Sequence, residues 1–96
     1  MRLEIASAAK ADLRHIQAFG NARCGKRQST TYLCEMIDLF DLLCTSPEMN
    51  RPRLEFGFDV RLQPFEAHVI FYRIKENAVV IERVLSRYQN WFAQKF

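Results

Sequence analysis

Hydrophobic and polar positions change rhythm along this chain, and each rhythm predicts an element. Arg2-Leu3-Glu4-Ile5 alternates charged and apolar residues, the period of a short edge strand with one buried face. Ser7 then stands at an N-cap, ahead of the helix formers Ala8-Ala9-Lys10-Ala11-Asp12-Leu13. Ala9, Leu13, Ile16 and Gly20 recur at helical spacing as one narrow, small-residue face, and Gly20-Asn21 marks the end of that helix. Residues 21–28 read as a connection. A second helix is expected from about Ser29 to Cys44, where Tyr32, Leu33, Met36, Ile37, Phe40, Leu43 and Cys44 form a wide apolar stripe. Glu35, Asp38 and Asp41 make its solvated side. Two helices with a short link predict an antiparallel helical hairpin. Pro47 stops the second helix, because it cannot extend it and pushes Ser46 out of helical space.

From Leu54 to Leu62 apolar and polar residues alternate, which predicts a strand with one wet face and Gly57 as a bulge or close approach. Gln63-Pro64-Phe65-Glu66 reads as the following turn. The period then changes again. The apolar runs His68–Ile74 and Ala78–Leu85, rich in Val, Ile, Phe and Tyr, flank the polar triplet Lys75-Glu76-Asn77. Such side chains suit a packed, pleated surface, so the pair reads as a central β-hairpin. Two registers are open. A two-residue turn at Glu76-Asn77 pairs Lys75 with Ala78 and Arg73 with Val80; a three-residue loop pairs Ile74 with Ala78. The order is β-α-α-β-β-β, an α+β fold with both helices on one face of an antiparallel sheet and the other face partly open. Arg73, Arg83 and Arg87 lie within and just past the apolar hairpin, where an arginine needs a partner.

Composition narrows the class. The chain has 96 residues, 49% of them hydrophobic and 26% charged, which suits one ordinary folded domain over residues 1–96. No apolar run approaches the ~20 residues needed to cross a bilayer, and the scattered charges of the first fourteen residues do not make a secretory signal. The cytosol is the expected compartment. The net charge is +3, and all of it falls in residues 51–96, which carry eight basic and five acidic side chains. That excess suits an acidic partner as well as nucleic acid. Cys24, Cys34 and Cys44 show no metal-ligand spacing and read as small apolar core residues. No cofactor or metal is expected. His15 reads as a solvated helix residue and His68 as strand packing. Residues 87–96 lose strand character but hold Tyr88, Trp91, Phe92 and Phe96, so this tail either packs back or meets a partner.

Three segments carry a family resemblance: Val60-Arg61-Leu62, the run Phe65-Glu66-Ala67-His68-Val69-Ile70-Phe71-Tyr72-Arg73-Ile74, and Val79-Val80-Ile81-Glu82-Arg83-Val84-Leu85. They resemble the ParE toxins of the RelE/ParE superfamily, whose pattern is an LR pair, a HVIFYR strand and an IxRVLH strand. The segment from Ser7 to Ile16 is similar to that family's first helix. The resemblance spans residues 2 to about 90. Ser86 stands where the family has His, Arg87-Tyr88-Gln89-Asn90-Trp91 replaces its RQD, and residues 21–28 lack its Trp-Gly.

The resemblance implies the toxin of a type II toxin–antitoxin pair, of the kind tied to plasmid maintenance. It would act as a DNA gyrase inhibitor held silent, in a hetero-oligomer, by a ParD-like antitoxin whose disordered tail folds along the toxin. Arg61, Arg83, Ser86, Arg87, Tyr88, Trp91 and Phe92 are then the candidate target- or antitoxin-binding residues. The sibling RelE branch cleaves mRNA on the ribosome. That alternative would need Arg61, Arg73, Arg83 and Tyr88 to orient the 2′-OH, stabilise the phosphorane and move protons. A structural role for Arg61 and Arg83 on a wet sheet face, paired with Glu55, Asp59 or Glu82, competes with it.

Overall fold

The computed structural model describes residues 1–57, 59–89 and 91–93. Its regular elements are β1 (Arg2–Ile5), α1 (Ser7–Cys24), α2 (Lys26–Thr45), β2 (Arg61–Phe65), β3 (His68–Lys75) and β4 (Ala78–Ser86). Single 3-10 turns lie at Pro47–Met49, Leu54–Phe56 and Trp91–Ala93. The sheet order is β1-β4-β3-β2. Strands β2, β3 and β4 form an antiparallel meander, and β1 joins it parallel to β4. The fold is α+β, as the pattern predicts.

The helices are longer and closer than expected. Ala6, extended at φ −63° and ψ 153°, precedes the first turn, so Ser7 is helical and caps nothing with its side chain. Ala6 instead ties strand to helix: its N–H donates to Ile81 O at 2.9 Å, and its carbonyl accepts from Lys10 N. Gly20 does not end α1. A Cβ there would sit 2.7 Å from Ser29 Oγ, so glycine lets the two helices approach, and Ser29 Oγ donates across to Gln17 O. The expected connection over residues 21–28 shrinks to Gly25 alone, at φ +87°. Close packing of α1 on α2 extends both helices into a segment whose propensity alone is weak. At the far end α2 stops at Thr45, with Ser46 N donating to Leu42 O before Pro47.

Glu76 and Asn77 both take positive φ, 50° and 62°. This selects the two-residue turn, with Lys75 opposite Ala78 and Arg73 opposite Val80. Farther along, Phe71 pairs with Arg83 but Tyr72 with Ile81, leaving Glu82 as the extra residue of a β-bulge. The bulge changes which face β4 shows. Val79 and Ile81 join the helix-side core, and after it Val84 does so while Leu85 turns to the opposite face.

The strand expected over Leu54–Leu62 does not form. Gly57 (φ 135°) and Asp59 (φ 61°) break the extended run, Leu54–Phe56 coils into a 3-10 turn, and β2 begins only at Arg61. Residues 63–65, expected as a turn, belong to β2, where Pro64 is tolerated because β2 is an edge strand. The turn itself is Glu66-Ala67, with Glu66 at φ 51°.

The displaced loop closes the second face of the sheet. On the helix side Ala9, Met36, Phe40, Leu43, Ile70, Tyr72, Val79, Ile81 and Val84 form the main core. Opposite it, Phe56, Val60, Leu62, Val69, Phe71 and Leu85 form a smaller one, with Trp91 packed against it. Two of the three cysteines are not the core residues expected: Cys24 and Cys34 are exposed, whereas half-buried Cys44 packs against the main core.

Candidate functional site

The parallel pair β1–β4 ends at Ile5 opposite Ile81, whereas β4 runs on to Ser86. Beyond Ile81 the outer edge of β4 has no strand beside it, and α1 supplies the missing partner. Asp12, only 9% exposed, accepts from Val84 N at 2.9 Å, from Arg83 Nε at 2.7 Å and from Arg83 Nη2 at 2.9 Å. The carboxylate thus caps a strand edge and holds a guanidinium in a two-point grip. Those hydrogen bonds, with the Asp12 charge behind them, raise the Arg83 pKa above its ordinary value. The expected pairing of Arg83 with Glu55, Asp59 or Glu82 is overturned: the bulge at Glu82 brings Arg83 to α1.

Where α1 passes the end of β4 and the start of β3, a groove of about 510 Å³ opens, lined by His15, Ile16, Phe19, Ala67, His68, Ser86 and Tyr88. It is mostly apolar. Ile16, Phe19, Ala67 and His68 also wall a hollow of about 220 Å³ that runs under Gly20, Cys24 and Tyr32. A polar corner adds Asp12, Arg83 and Gln89. Phe19 is 63% and Tyr88 87% exposed, high values for aromatic side chains. The Arg23 guanidinium lies 5.0 Å from the Phe19 ring centroid, a cation–π contact that sets a positive charge at the groove's rim.

At the groove's floor Tyr32 OH and His68 Nδ1 are 2.7 Å apart. Burial pushes the His68 pKa below its ordinary value, against the opposing pull of Asp12, and pushes the Tyr32 phenol up. Neutral His68 and the Tyr32 hydroxyl therefore share a hydrogen bond at Nδ1 whose direction is set by the imidazole tautomer. Ser86 organises the far wall. Its N–H donates to Gln89 Oε1, its Oγ accepts from Tyr88 N, and its carbonyl accepts from Trp91 Nε1. Arg87 N donates to Ala67 O, which fixes the turn that presents Tyr88.

The structure gathers some candidate residues at this groove and scatters others. Arg83, Ser86 and Tyr88 line it or its polar corner, and exposed Arg87 flanks it. Trp91 is turned inward, edge-on to Phe71 at 6.2 Å. The Phe92 side chain lies outside the described residues, as do Asn90 and Phe96 of the tail. Arg61 is elsewhere, donating to the Asn50 carbonyl, again not to Glu55, Asp59 or Glu82. Asn50 Nδ2 reaches Gln63 Oε1 and Tyr72 OH, and Tyr72 OH donates to Pro47 O, so this network straps the loop after α2 to the sheet. Arg73 lies beside a small hollow with Asp59, Ile74 and Lys75, its buried Nε without a hydrogen-bond partner among the described residues. Arg61, Arg73, Arg83 and Tyr88 do not converge on one point.

Residues 3–91 match the ParE toxin family, described as the ParE toxin of type II toxin-antitoxin system, parDE. The chain belongs to the ParE toxin family. A solved chain of the chromosomal ParDE TA system from P. aeruginosa shares the fold of this ParE-type toxin, with a TM-score of 0.79 at 19% identity, over 90% of this chain and 95% of that one. No curated protein matches the sequence. An antitoxin partner follows from membership of a ParDE system. No helix among the described residues is long and apolar enough to cross a membrane.

Sequence reasoning about this ParE toxin missed half the groove: Asp12, Ile16, Phe19, Tyr32, Ala67 and His68. Two signals were present. Phe19 stands off the apolar face of α1, an aromatic with no place in a core. Asp12 adjoins Leu13 on that face, the one acid against the sheet, and Arg83 is the complementary misfit in β4. Among the described residues no group of three His, Cys, Asp or Glu could hold a metal ion. What the groove offers is apolar surface with positive charge at the rim.

Proposed function

We propose that this ParE-type toxin acts by binding DNA gyrase, and that a ParD-like antitoxin silences it by laying an acidic, amphipathic tail in the groove between Phe19 and Tyr88. The observation that carries the reading is that groove: an apolar trough between two aromatic side chains exposed by more than half. Charge supports the sign of the partner. Residues 15–34 contain the basic residues Arg23, Lys26 and Arg27 and no acidic one, and Arg87 flanks the far wall. Apolar side chains of the tail would fill the trough while its carboxylates met the rim. Tyr88 and Arg87 then belong to both encounters, so the antitoxin neutralises by covering what gyrase would meet. The scatter of Arg61, Arg73 and Arg83, two of them already tied to Asn50 and Asp12, favours binding over ribosome-dependent mRNA cleavage, which needs cations converging on one phosphate.

Gyrase supercoiling and cleavage-complex assays with the purified protein test this. Wild-type protein should inhibit supercoiling, and Tyr88→Ala should weaken inhibition about tenfold or more while the exposed position keeps folding stability within about 0.5 kcal/mol. Phe19→Ala should weaken antitoxin binding. Gyrase untouched by wild-type protein, together with mRNA cut on purified ribosomes, would overturn the reading.

A further inference from the structure

The outer face of the helical hairpin, turned away from the sheet and from the Phe19–Tyr88 groove, carries a second apolar trough. Leu13, Arg14 and Gln17 of α1 and Leu33, Cys34 and Ile37 of α2 line it. Ile37, part of that lining, is 45% exposed. The charges beside the trough are sorted by helix. Lys10 and Arg14, one turn apart, are exposed on α1; Asp38 and Asp41, also one turn apart, are exposed on α2. Among the described residues no ion pair joins these cations to these acids, although the helices are antiparallel neighbours.

Such a face is complementary to itself. A two-fold axis along the trough lays α1 of one copy over α2 of the other. Because Gly20 meets Ser29 across the hairpin, Arg14 lies level with about Glu35 to Asp38, and Lys10 with about Asp38 to Asp41. Each copy's cations would therefore meet its partner's acids, so that the contact occurs twice in the dimer, around Leu33 and Ile37 of both chains. We propose that this face is a homodimer interface, occupied by a second copy of this chain. The area makes it a small contact. Helices of 18 and 20 residues are about 27–30 Å long, and two side by side cover on the order of 500 Å² per chain. The total of about 1,000 Å² is near the lower limit for a specific contact, so the dimer is expected to be reversible and concentration-dependent. The Phe19–Tyr88 groove stays open in it.

Sedimentation equilibrium of the purified full chain over a concentration series tests the proposal. A reversible monomer–dimer equilibrium is expected, weakened at least tenfold by Ile37→Glu. Charge exchange gives the sharper readout. The variant K10E/R14E and the variant D38K/D41K should each be monomeric, and an equimolar mixture should form a heterodimer tighter than the wild-type homodimer. Alkylation adds an internal control: the Cys34 thiol should react more slowly as protein concentration rises, and exposed Cys24, outside the trough, should not. A wild-type chain that stays monomeric to high concentration, or charge variants that do not associate when mixed, would overturn the dimer. Cys34 shielded only on adding the antitoxin would assign the trough to that partner instead.

Discussion

The two faces of the sheet bury apolar surface by different means. On the helix side, side chains at regular spacing from α1 and α2 meet alternate residues of β3 and β4, and the core runs unbroken from Ala9 to Val84. On the other side Val69 and Phe71 still alternate along β3, but the side chains that cover them are not periodic. Phe56 arrives on a 3-10 turn, Val60 from a loop, Leu85 only because a bulge reverses its direction, and Trp91 from beyond the sheet. A core built from elements is rigid because each residue is held by its helix or strand. One built from a loop depends on a few anchors: the Arg61–Asn50 strap, the Arg53 N to Val60 O bond of 2.6 Å, and Trp91 Nε1 on Ser86 O.

Truncation of one large residue on each face should expose the contrast most clearly. Phe40→Ala should cost about 3–5 kcal/mol, because the surrounding helices cannot collapse into the cavity. Phe56→Ala, equally buried, should cost less, about 2–3 kcal/mol, because the loop can follow the lost ring. Urea denaturation measures both; equal losses would make the two clusters one equally rigid core.

Asp12 bridges the comparison, since it joins the helix layer to the strand end beyond the bulge. Asp12→Ala leaves Arg83 and the Val84 amide without the carboxylate. About 2–3 kcal/mol should be lost, below the range for a fully buried pair because the Arg83 side chain is 29% exposed. Amide exchange should quicken at Val84 before it does at Val79, and unchanged exchange there would show that the strand edge is protected by other means.

The smallest effect is a pH dependence confined to the helix side. Burial lowers the folded-state pKa of His68 below its ordinary value of about 6.5. Below that pH the unfolded chain binds the proton more readily than the folded one, so stability falls as pH drops from about 6.5 toward the folded-state pKa, and is fully present above. His68→Gln should flatten melting temperature against pH between about 5 and 7. A slope unchanged by the substitution would place the titration on another group.

The same contrast separates what was legible in the sequence from what was not. The stripe Tyr32 to Cys44 and the apolar runs of β3 and β4 announced the helix-side core, because regular elements print their period on the chain. The alternation from Leu54 to Leu62 printed a period too, and it misled: positive φ at Gly57 and Asp59 breaks the strand, and a single residue's dihedral leaves no periodic trace. Gly20 reads as a helix end until the approach of Ser29 is known. At the groove, Ser86, Arg87 and Tyr88 were legible through the HVIFYR and RVL segments. Phe19, Tyr32 and His68 were not, since what joins them is the packing of α1 across β3 and β4.

The parallel pairing of β1 with β4 has a consequence during protein synthesis. Arg2 to Ile5 pair with Ala78 to Ile81, and Asp12 finds Arg83 and Val84 more than seventy residues downstream. A nascent chain on the ribosome can form its helical hairpin early, from local contacts, but cannot seat its first strand until β4 has emerged. The groove needs both partners, for its walls come from α1 on one side and from the end of β4 on the other. The surface proposed to harm the cell therefore comes into being only once residues up to Tyr88 have been made, and a message interrupted before that leaves a fragment without it.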